Sequence, residues 1–357
     1  MYLLILILII VVLYFLTKSE IEGYINYHKC DRYKSNVLMD NLFYENKFNK
    51  TEGNDWELYV PCGYTGLENE LNELHVTNSN QKIFGITGCD LLAAKDNLWI
   101  FMNQKYGRKI VSRYLPDTYI LNKNSDLELF KKNYDKHKLY LLKKNIQRKK
   151  GIKITRDLNY IMRARDDGYV VVQEYLDNLY LINKRKINLR VYLLITCKKG
   201  VTKWYLNKLG KCIYTNKDYN DNESGDIDLE KHLTSLNLDN SIYHKNPLTF
   251  EDLKIHLGAY NYDILFNRMI YILKMAKASF EGKICNVDRF KDNMMFQLFG
   301  LDFVFTNLFE PYLLEMNKGP QMKYMNNIEY KFKNKVIQDL FAKVGIVETS
   351  DNSFIEI

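Results

Sequence analysis

The sequence predicts a mixed α/β protein of two or three closely joined lobes. Three observations point there. Runs of β-branched and aromatic residues with period two, at 139–143, 169–176 and 184–196, are interspersed with segments of helical period, the clearest at 262–280. The chain of 357 residues is longer than one small domain needs. Its apolar share of 46% supplies a core, and its charged share of 26% is too ordinary for disorder. Five prolines and the lack of any Gly/Ser-rich tract exclude a fibrous protein. The net charge of +8 fits an acidic partner or a phosphate ligand and is too small to argue for nucleic acid.

The first element is the apolar run MYLLILILIIVVLYFL, extended by Thr17. As a helix it spans roughly 24 Å against a ~30 Å hydrocarbon core, and Lys18 can snorkel. No basic stretch precedes it and no small-residue cleavage motif follows. Residues 1–17 read as a membrane anchor, with a buried core element or a cleaved signal as the alternatives. Lys18, Lys29, Arg32 and Lys34 follow the run, which by the positive-inside bias leaves the body of the chain facing the cytosol.

Residues 18–112 read as an N-terminal lobe, with a helix expected over 90–106. Leu115-Pro116-Asp117 interrupts the chain and opens a central lobe, 113–180. There Ser125-Asp126-Leu127-Glu128 has capping-box form and is expected to start a short helix, followed by the first two strands. A C-terminal lobe, 181–345, holds the third strand and a polar, acidic stretch at 216–231 read as a mobile loop. It also holds the long helix, with Leu265, Met269, Ile272, Met275, Ala276 and Ser279 on one face, and a strand pair at 296–305 and 311–317. Residues 346–357 remain as a tail. Cys30, Cys62, Cys89, Cys197, Cys212 and Cys285 form no C-x-x-C pair and no zinc spacing. They are expected as free thiols in a reducing compartment, and a disulfide scaffold is excluded.

The strand pair carries the chemistry. If Phe305 lies opposite Tyr312, then Asp302 lies opposite Glu315, and alternation puts Leu313, Glu315 and Asn317 on one face. Two carboxylates so close repel unless a cation lies between them, and a few oxygen ligands suit Mg²⁺. Gly300, on the Asp302 face, leaves room for a ligand or another backbone. The alternative is a solvated hairpin face. In KRKINLRVYLLIT, Lys186, Asn188, Arg190 and Tyr192 share one face, and Ile187, Leu189, Val191, Leu193 and Ile195 the other. That is a cationic face over a core face, or an ordinary half-exposed strand. Lys143 ends a strand, and the basic run Arg148-Lys149-Lys150 before Gly151 reads as a phosphate-gripping flap or a solvated charge run. No Cys–His or Ser–His–Asp pattern offers a covalent nucleophile.

These segments together resemble the tubulin–tyrosine ligase family, which includes tubulin glutamylases and glycylases. The resemblance runs over about residues 90–345 and is strongest in YLLKKNIQRKKGI (140–152), VVQEYLDNLYLINKRKINLRVYLLIT (171–196), His232-Leu233-Thr234-Ser235, and FQLFGLDFVF with PYLLEMNKGP (296–320). It implies an ATP-grasp fold, with ATP held between two mixed lobes. It implies that Lys143 contacts phosphate, that Arg148 and Gly151 belong to the flap, and that Gln173 with Glu174, Tyr175 and Leu176 flanks adenine. Lys186 touches the nucleotide and Arg190 holds the incoming amino acid. Asn188 stands where the family has Asp, and Lys208 where it has an Arg near the γ-phosphate. Asp302, Glu315 and Asn317 hold Mg²⁺. Lys144, Lys149 and Ser235 are further departures. The implied activity is that of an ATP-dependent carboxylate–amine ligase. Phosphoryl transfer to a carboxylate gives an acyl phosphate, from which an α-amino group displaces phosphate to form an amide. The implied partners are a free amino acid and an acidic protein acceptor such as a tubulin tail. Glutamate is the expected donor, with tyrosine and glycine open. The expected molecule is thus a membrane-anchored monomer. An ATP-grasp ligase of small molecules or peptides, and a catalytically weak microtubule-binding scaffold, are the alternative readings.

Overall fold

The computed structural model describes residues 25–30, 36–146, 151–220 and 227–357. In chain order, β1 (Asn26–Lys29), α1 (Val37–Glu45), β2 (Asn49–Lys50), β3 (Leu58–Val60), β4 (Lys82–Phe84), α2 (Cys89–Ala93) and α3 (Asn97–Tyr106) come first. Next come β5 (Thr118–Ile120), α4 (Asn124–Asn133), β6 (Tyr140–Lys143), β7 (Ile152–Thr155) and β8 (Val171–Glu174). The remainder is β9 (Leu181–Ile182), β10 (Arg185–Lys198), β11 (Val201–Tyr214), α5 (Ala259–Ser279), β12 (Met294–Phe305), β13 (Pro311–Asn317), α6 (Asn327–Lys343) and β14 (Phe354–Glu356), with short helices between.

The mixed α/β expectation holds. A large sheet runs β14-β11-β10-β12-β4-β3-β1-β2, with β13 on β12 and β9 on β10. Its β10–β12 centre is antiparallel, and its β4, β3, β1 and β2 wing is parallel. A separate antiparallel sheet runs β5-β8-β6-β7. Both faces of the large sheet are covered. Ile187, Leu189, Val191, Leu193 and Ile195 of β10 pack with Leu265, Met269, Ile272, Met275 and Ala276 of α5, the helical face expected. Tyr192 and Leu194 on the reverse side join Val336, Ile337, Leu340 and Phe341 of α6, and Leu38 and Phe43 of α1.

Several expectations need correction. A membrane-anchored arrangement is not what the structure supports. No helix among the described residues is long and apolar enough to cross a membrane, and α5, at 21 residues, carries Asp263, Arg268, Lys274 and Lys277. Residues 1–17, on which the anchor rested, lie outside the described residues. The helix expected over 90–106 is two helices, because Ala94 turns extended and Asp96 caps the second by accepting from the N–H of Asn97. The capping box at Ser125 does not form. The cap is Lys123, two residues before Ser125, and the Asp126 carboxylate accepts from the backbone N–H of Ile120. Of the loop 216–231, residues 221–226 lie outside the described set. Asp228 opens a short helix, Leu229–His232, and pairs with Lys217.

The cysteines also depart from expectation. Cys30 bonds to Cys62, and Cys197 to Cys285, with Cα–Cα distances of 4.8 and 6.1 Å. Cys30 and Cys62 follow the neighbouring strands β1 and β3, which lie side by side only once the sheet has formed. Cys89 and Cys212 stay free and buried. Alkylation of the denatured, unreduced protein should therefore modify only Cys89 and Cys212, and all six cysteines should react after reduction. Mass spectrometry that found all six modified without reductant would contradict the pairing.

Candidate active site

The strand pair forms as expected at its decisive point: Asp302 is the register partner of both Glu315 on β13 and Arg190 on β10. The rest of the pairing carries a bulge. Phe303 faces Leu313, and Phe305 faces Pro311 rather than Tyr312, so Leu314 is the extra residue. Strict alternation fails there. Leu313 is buried in the main core with Met316, while Leu314 turns with Val304 to the other side.

At this point buried charges converge. Arg190 grips Asp302 with two nitrogens, Nε to Oδ1 at 2.6 Å and Nη2 to Oδ2 at 3.2 Å. Gly300, beside this pair, lets Pro320 close over the strand. A Cβ there would stand 2.8 Å from Pro320 Cβ and 3.4 Å from Arg190 Cδ, so the space it leaves is filled by protein. Glu315 Oε2 accepts from Lys95 Nζ at 2.9 Å, and its Oε1 from the Asn317 amide at 2.9 Å. Lys95 comes from the break between α2 and α3, where its own N–H donates to Asn145.

Burial alone would raise the Glu315 carboxyl, but Lys95 and Lys143 hold it well below the usual carboxylate range. Burial pushes the Asp302 carboxyl up and the charge of Glu315 adds to that, with Arg190 opposing. Lys143, at the end of β6, is fully enclosed, and burial brings its ammonium down to about 8 even though Glu315 opposes the shift. Lys186 falls further, to about 7, through burial and the nearby Lys143. Its Nζ donates to the Tyr175 hydroxyl and to the His232 carbonyl, each at 3.2 Å.

Lys143 and Lys186 stand on opposite walls of a narrow slot between the two sheets. Leu141, Gln173, Glu174, Tyr175, Leu176 and Leu314 also line it. The Gln173 amide donates to the Thr118 hydroxyl at 2.8 Å. Glu174 and Tyr175 are tied by backbone bonds to Asp117 and Leu139. Asn188 Oδ1 is buried and has no hydrogen-bond partner among the described residues. Gly151 receives the N–H of Lys144 on its carbonyl, and a Cβ there would lie 2.7 Å from Lys144 Cβ, so β6 and β7 close only with glycine. Arg148 lies outside the described residues.

One expected residue is not brought to this cluster. Lys208 is exposed where the β10–β11 ladder is interrupted. Lys211 is instead the register partner of Arg190, and its ammonium pairs with Glu329, which also holds Lys333 at 3.1 Å. Reading the sequence missed Lys95, Lys211 and Lys333.

Among the described residues no three His, Cys, Asp or Glu side chains cluster to hold a metal. Any cation here rests on two carboxylates and an amide. That hard-oxygen set suits Mg²⁺. The partnerless Asn188 Oδ1 likewise suits a ligand that brings a hydroxyl donor.

With this geometry in view, similarity to known proteins is decisive. The pattern of the tubulin-tyrosine ligase family matches residues 73–353. The chain belongs to this family. It is 22% identical over 339 residues to the probable tubulin polyglutamylase ttll-9 of Caenorhabditis elegans, covering 87% of this chain and 79% of that protein. It is 22% identical over 318 residues to the probable alpha-tubulin polyglutamylase Ttll1 of Tetrahymena thermophila, covering 79% and 75%. A shorter match, 27% over 190 residues, is to tubulin glycylase 3D of the same organism, covering 50% of this chain and 18% of that one. These relatives are named as tubulin modifiers.

The buried lysines give a pH signature. Lys143 and Lys186 hold protons less tightly than the usual 10.5, at about 8 and about 7. The unfolded chain therefore binds more protons between about pH 7 and 10.5, and stability rises with pH across that window. The Lys186 penalty is complete below about 7 and relieved toward 10.5. Lys186→Met should stabilise the ligand-free protein most at the acid end of the window and flatten the rise. Denaturant midpoints at the two ends check this, and an unchanged slope would refute it.

Proposed function

We propose that this chain is an ATP-dependent carboxylate–amine ligase. In this reading it joins an amino acid, with glutamate first among the candidates, to an acidic protein tail, with tubulin as the first acceptor to test. The observation that carries the reading is the Asp302–Glu315 pair, compensated by Arg190, Lys95 and Lys143 at the charged end of the slot. The names of the relatives support the acceptor. Polyglutamylases and a glycylase both appear among them, so the donor rests on relative frequency.

ATP supplies the phosphoryl group that turns an unreactive carboxylate into an electrophile, and Mg²⁺ neutralises the charge of that group. The chain's own residues then have these parts. Lys143 and Lys186, enclosed and only weakly basic, receive phosphate oxygens that restore their full charge. Gln173 and the Glu174–Leu176 backbone face the base, and Asn188 Oδ1 accepts a ribose hydroxyl. Asp302, Glu315 and Asn317 hold the metal. Arg190, with Lys211 beside it on β11, orients the carboxylate of the incoming amino acid. The sheet of β5–β8 forms the central lobe of an ATP-grasp arrangement, residues 113–180, against the lobe 181–345, with 18–112 as the N-terminal lobe.

Incubation of the chain with ATP, labelled glutamate, tyrosine or glycine, and tubulin tests this reading, with mass spectrometry of the acceptor as readout. ATP-dependent addition of any of the three is expected, and none on any acidic acceptor would overturn it. Glu315→Gln is nearly isosteric and removes one charge of the pair. It should leave the circular dichroism spectrum unchanged and cut turnover far more than tenfold, that is, by more than ~1.4 kcal/mol of barrier. Activity within tenfold of the wild type would sink the assignment of Glu315.

A further inference from the structure

The hairpin that carries Glu315 borders a second cavity at its opposite end. This cavity has a volume of about 580 Å³. It lies between Arg268, Tyr271 and Ile272 on one face of α5, residues 112–114, and residues 310–312 at the start of β13. It shares walls with the slot: Tyr312 precedes Leu314 by two residues, Tyr114 precedes Pro116 by two, and both Leu314 and Pro116 line the slot.

The cavity is held in shape by its surroundings. The N–H of Leu313 donates to the Tyr114 carbonyl at 2.9 Å, which fixes residues 112–114 beside β13. The Tyr114 and Tyr271 rings lie 5.5 Å apart. The Arg268 guanidinium is pinned through Nη1 to the carbonyls of Leu308 and Phe309, at 2.8 and 2.9 Å, and its other nitrogens keep their donors. Arg113 is exposed at the rim. Two guanidinium forks against one carboxylate, Glu310, leave the cavity positive, and Tyr114, Tyr271 and Tyr312 make its walls aromatic. Guanidinium forks select carboxylates, and tyrosine rings accept apolar or aromatic side chains.

We propose that this cavity docks the acceptor as an acidic peptide segment, carboxylates on Arg113 and Arg268 with a neighbouring apolar or aromatic side chain against the tyrosines. The proposal rests on the ligase reading above. Its geometry suits that reading, because the bulge leaves Tyr312, opposite Val304, and Glu315, opposite Asp302, two rungs apart along β12. That is roughly 7 Å at ~3.3 Å per residue, the reach of about two residues of extended peptide. A tail seated in the cavity would therefore present a carboxylate a few residues away to the charged end of the slot, and Glu310 would keep further carboxylates from crowding the rim.

The test is fluorescence anisotropy of the full chain with a fluorescein-labelled, glutamate-rich peptide containing one tyrosine, with nucleotide binding as the folding control. The wild type should bind, and Arg113→Glu should weaken binding by about tenfold or more, as reversal of a contacting charge does. Tyr271→Ala, at a half-exposed ring that supports no core, should weaken it too. In the transfer assay both variants should raise the KM for the acidic acceptor and leave kcat and the KM for ATP in place. No binding by the wild type, or equal affinity in the wild type and Arg113→Glu, overturns the docking site. Peptide binding that both substitutions weaken, in a chain that transfers no amino acid to any acceptor, would retain the site and refute the ligase reading instead.

Discussion

Charge compensation inside the protein governs how the two sheets meet. Asp302, buried, and Glu315, partly buried, face each other as a register pair, an arrangement that desolvation and mutual repulsion both oppose. It is tolerated because cations arrive from separate parts of the chain: Arg190 from the adjacent strand, Lys95 from a helix break, and Lys143 from the smaller sheet. Taking away one member of such a group strands the others as buried charge, which costs more than the contact itself contributes. The docking of β5–β8 on the large sheet is therefore tied to the same few atoms that give the site its chemistry.

The slot between the sheets is polarised. Its charged end holds Lys143 beside the Asp302–Glu315 pair. Leu176, Leu179, Val304 and Leu314 line the other, apolar part. Tyr175 spans the transition, its ring against a sheet wall and its hydroxyl within 3.1 Å of His232 Nδ1 as well as bonded to Lys186. The free volume of the slot is only about 40 Å³, less than a purine base occupies. In the proposed function, nucleotide binding thus requires the two sheets to part, and the loss of ammonium–carboxylate attraction across the gap resists that opening.

Much of this was legible in the sequence because short-range periodicity and an approximate hairpin register sufficed. The buried face of α5 follows from helical spacing; the Asp302–Glu315 pairing was reached by counting from a Phe305–Tyr312 pair that does not form, and the bulge at Leu314 makes up the one-residue offset. What was not legible depends on long-range placement or on local irregularity. Lys95 sits in a stretch whose composition reads as continuous helix, and only the extended Ala94 aims it at Glu315. Lys211 opposes Arg190 through a register that shifts between Val191 and Leu193, so counting back from the turn at Lys199-Gly200 misses it. The disulfides join positions 32 and 88 residues apart, where no spacing rule applies. The capping box at Ser125 does not form because the helix is capped at Lys123, which places Ser125 inside its first turn.

The bulge on β13 divides that strand into two halves of opposite phase. Leu313 belongs to the core and Glu315 to the slot, although an unbroken strand would put residues two apart on the same face. Losing a single residue from a strand ordinarily inverts everything downstream of it. Here the pairs Phe303–Leu313 and Asp302–Glu315 would become adjacent rungs of a regular ladder if Leu314 alone were absent. Leu314 is thus a residue whose deletion is silent for register, removing a piece of the slot wall beside Val304 while both carboxylates keep their places.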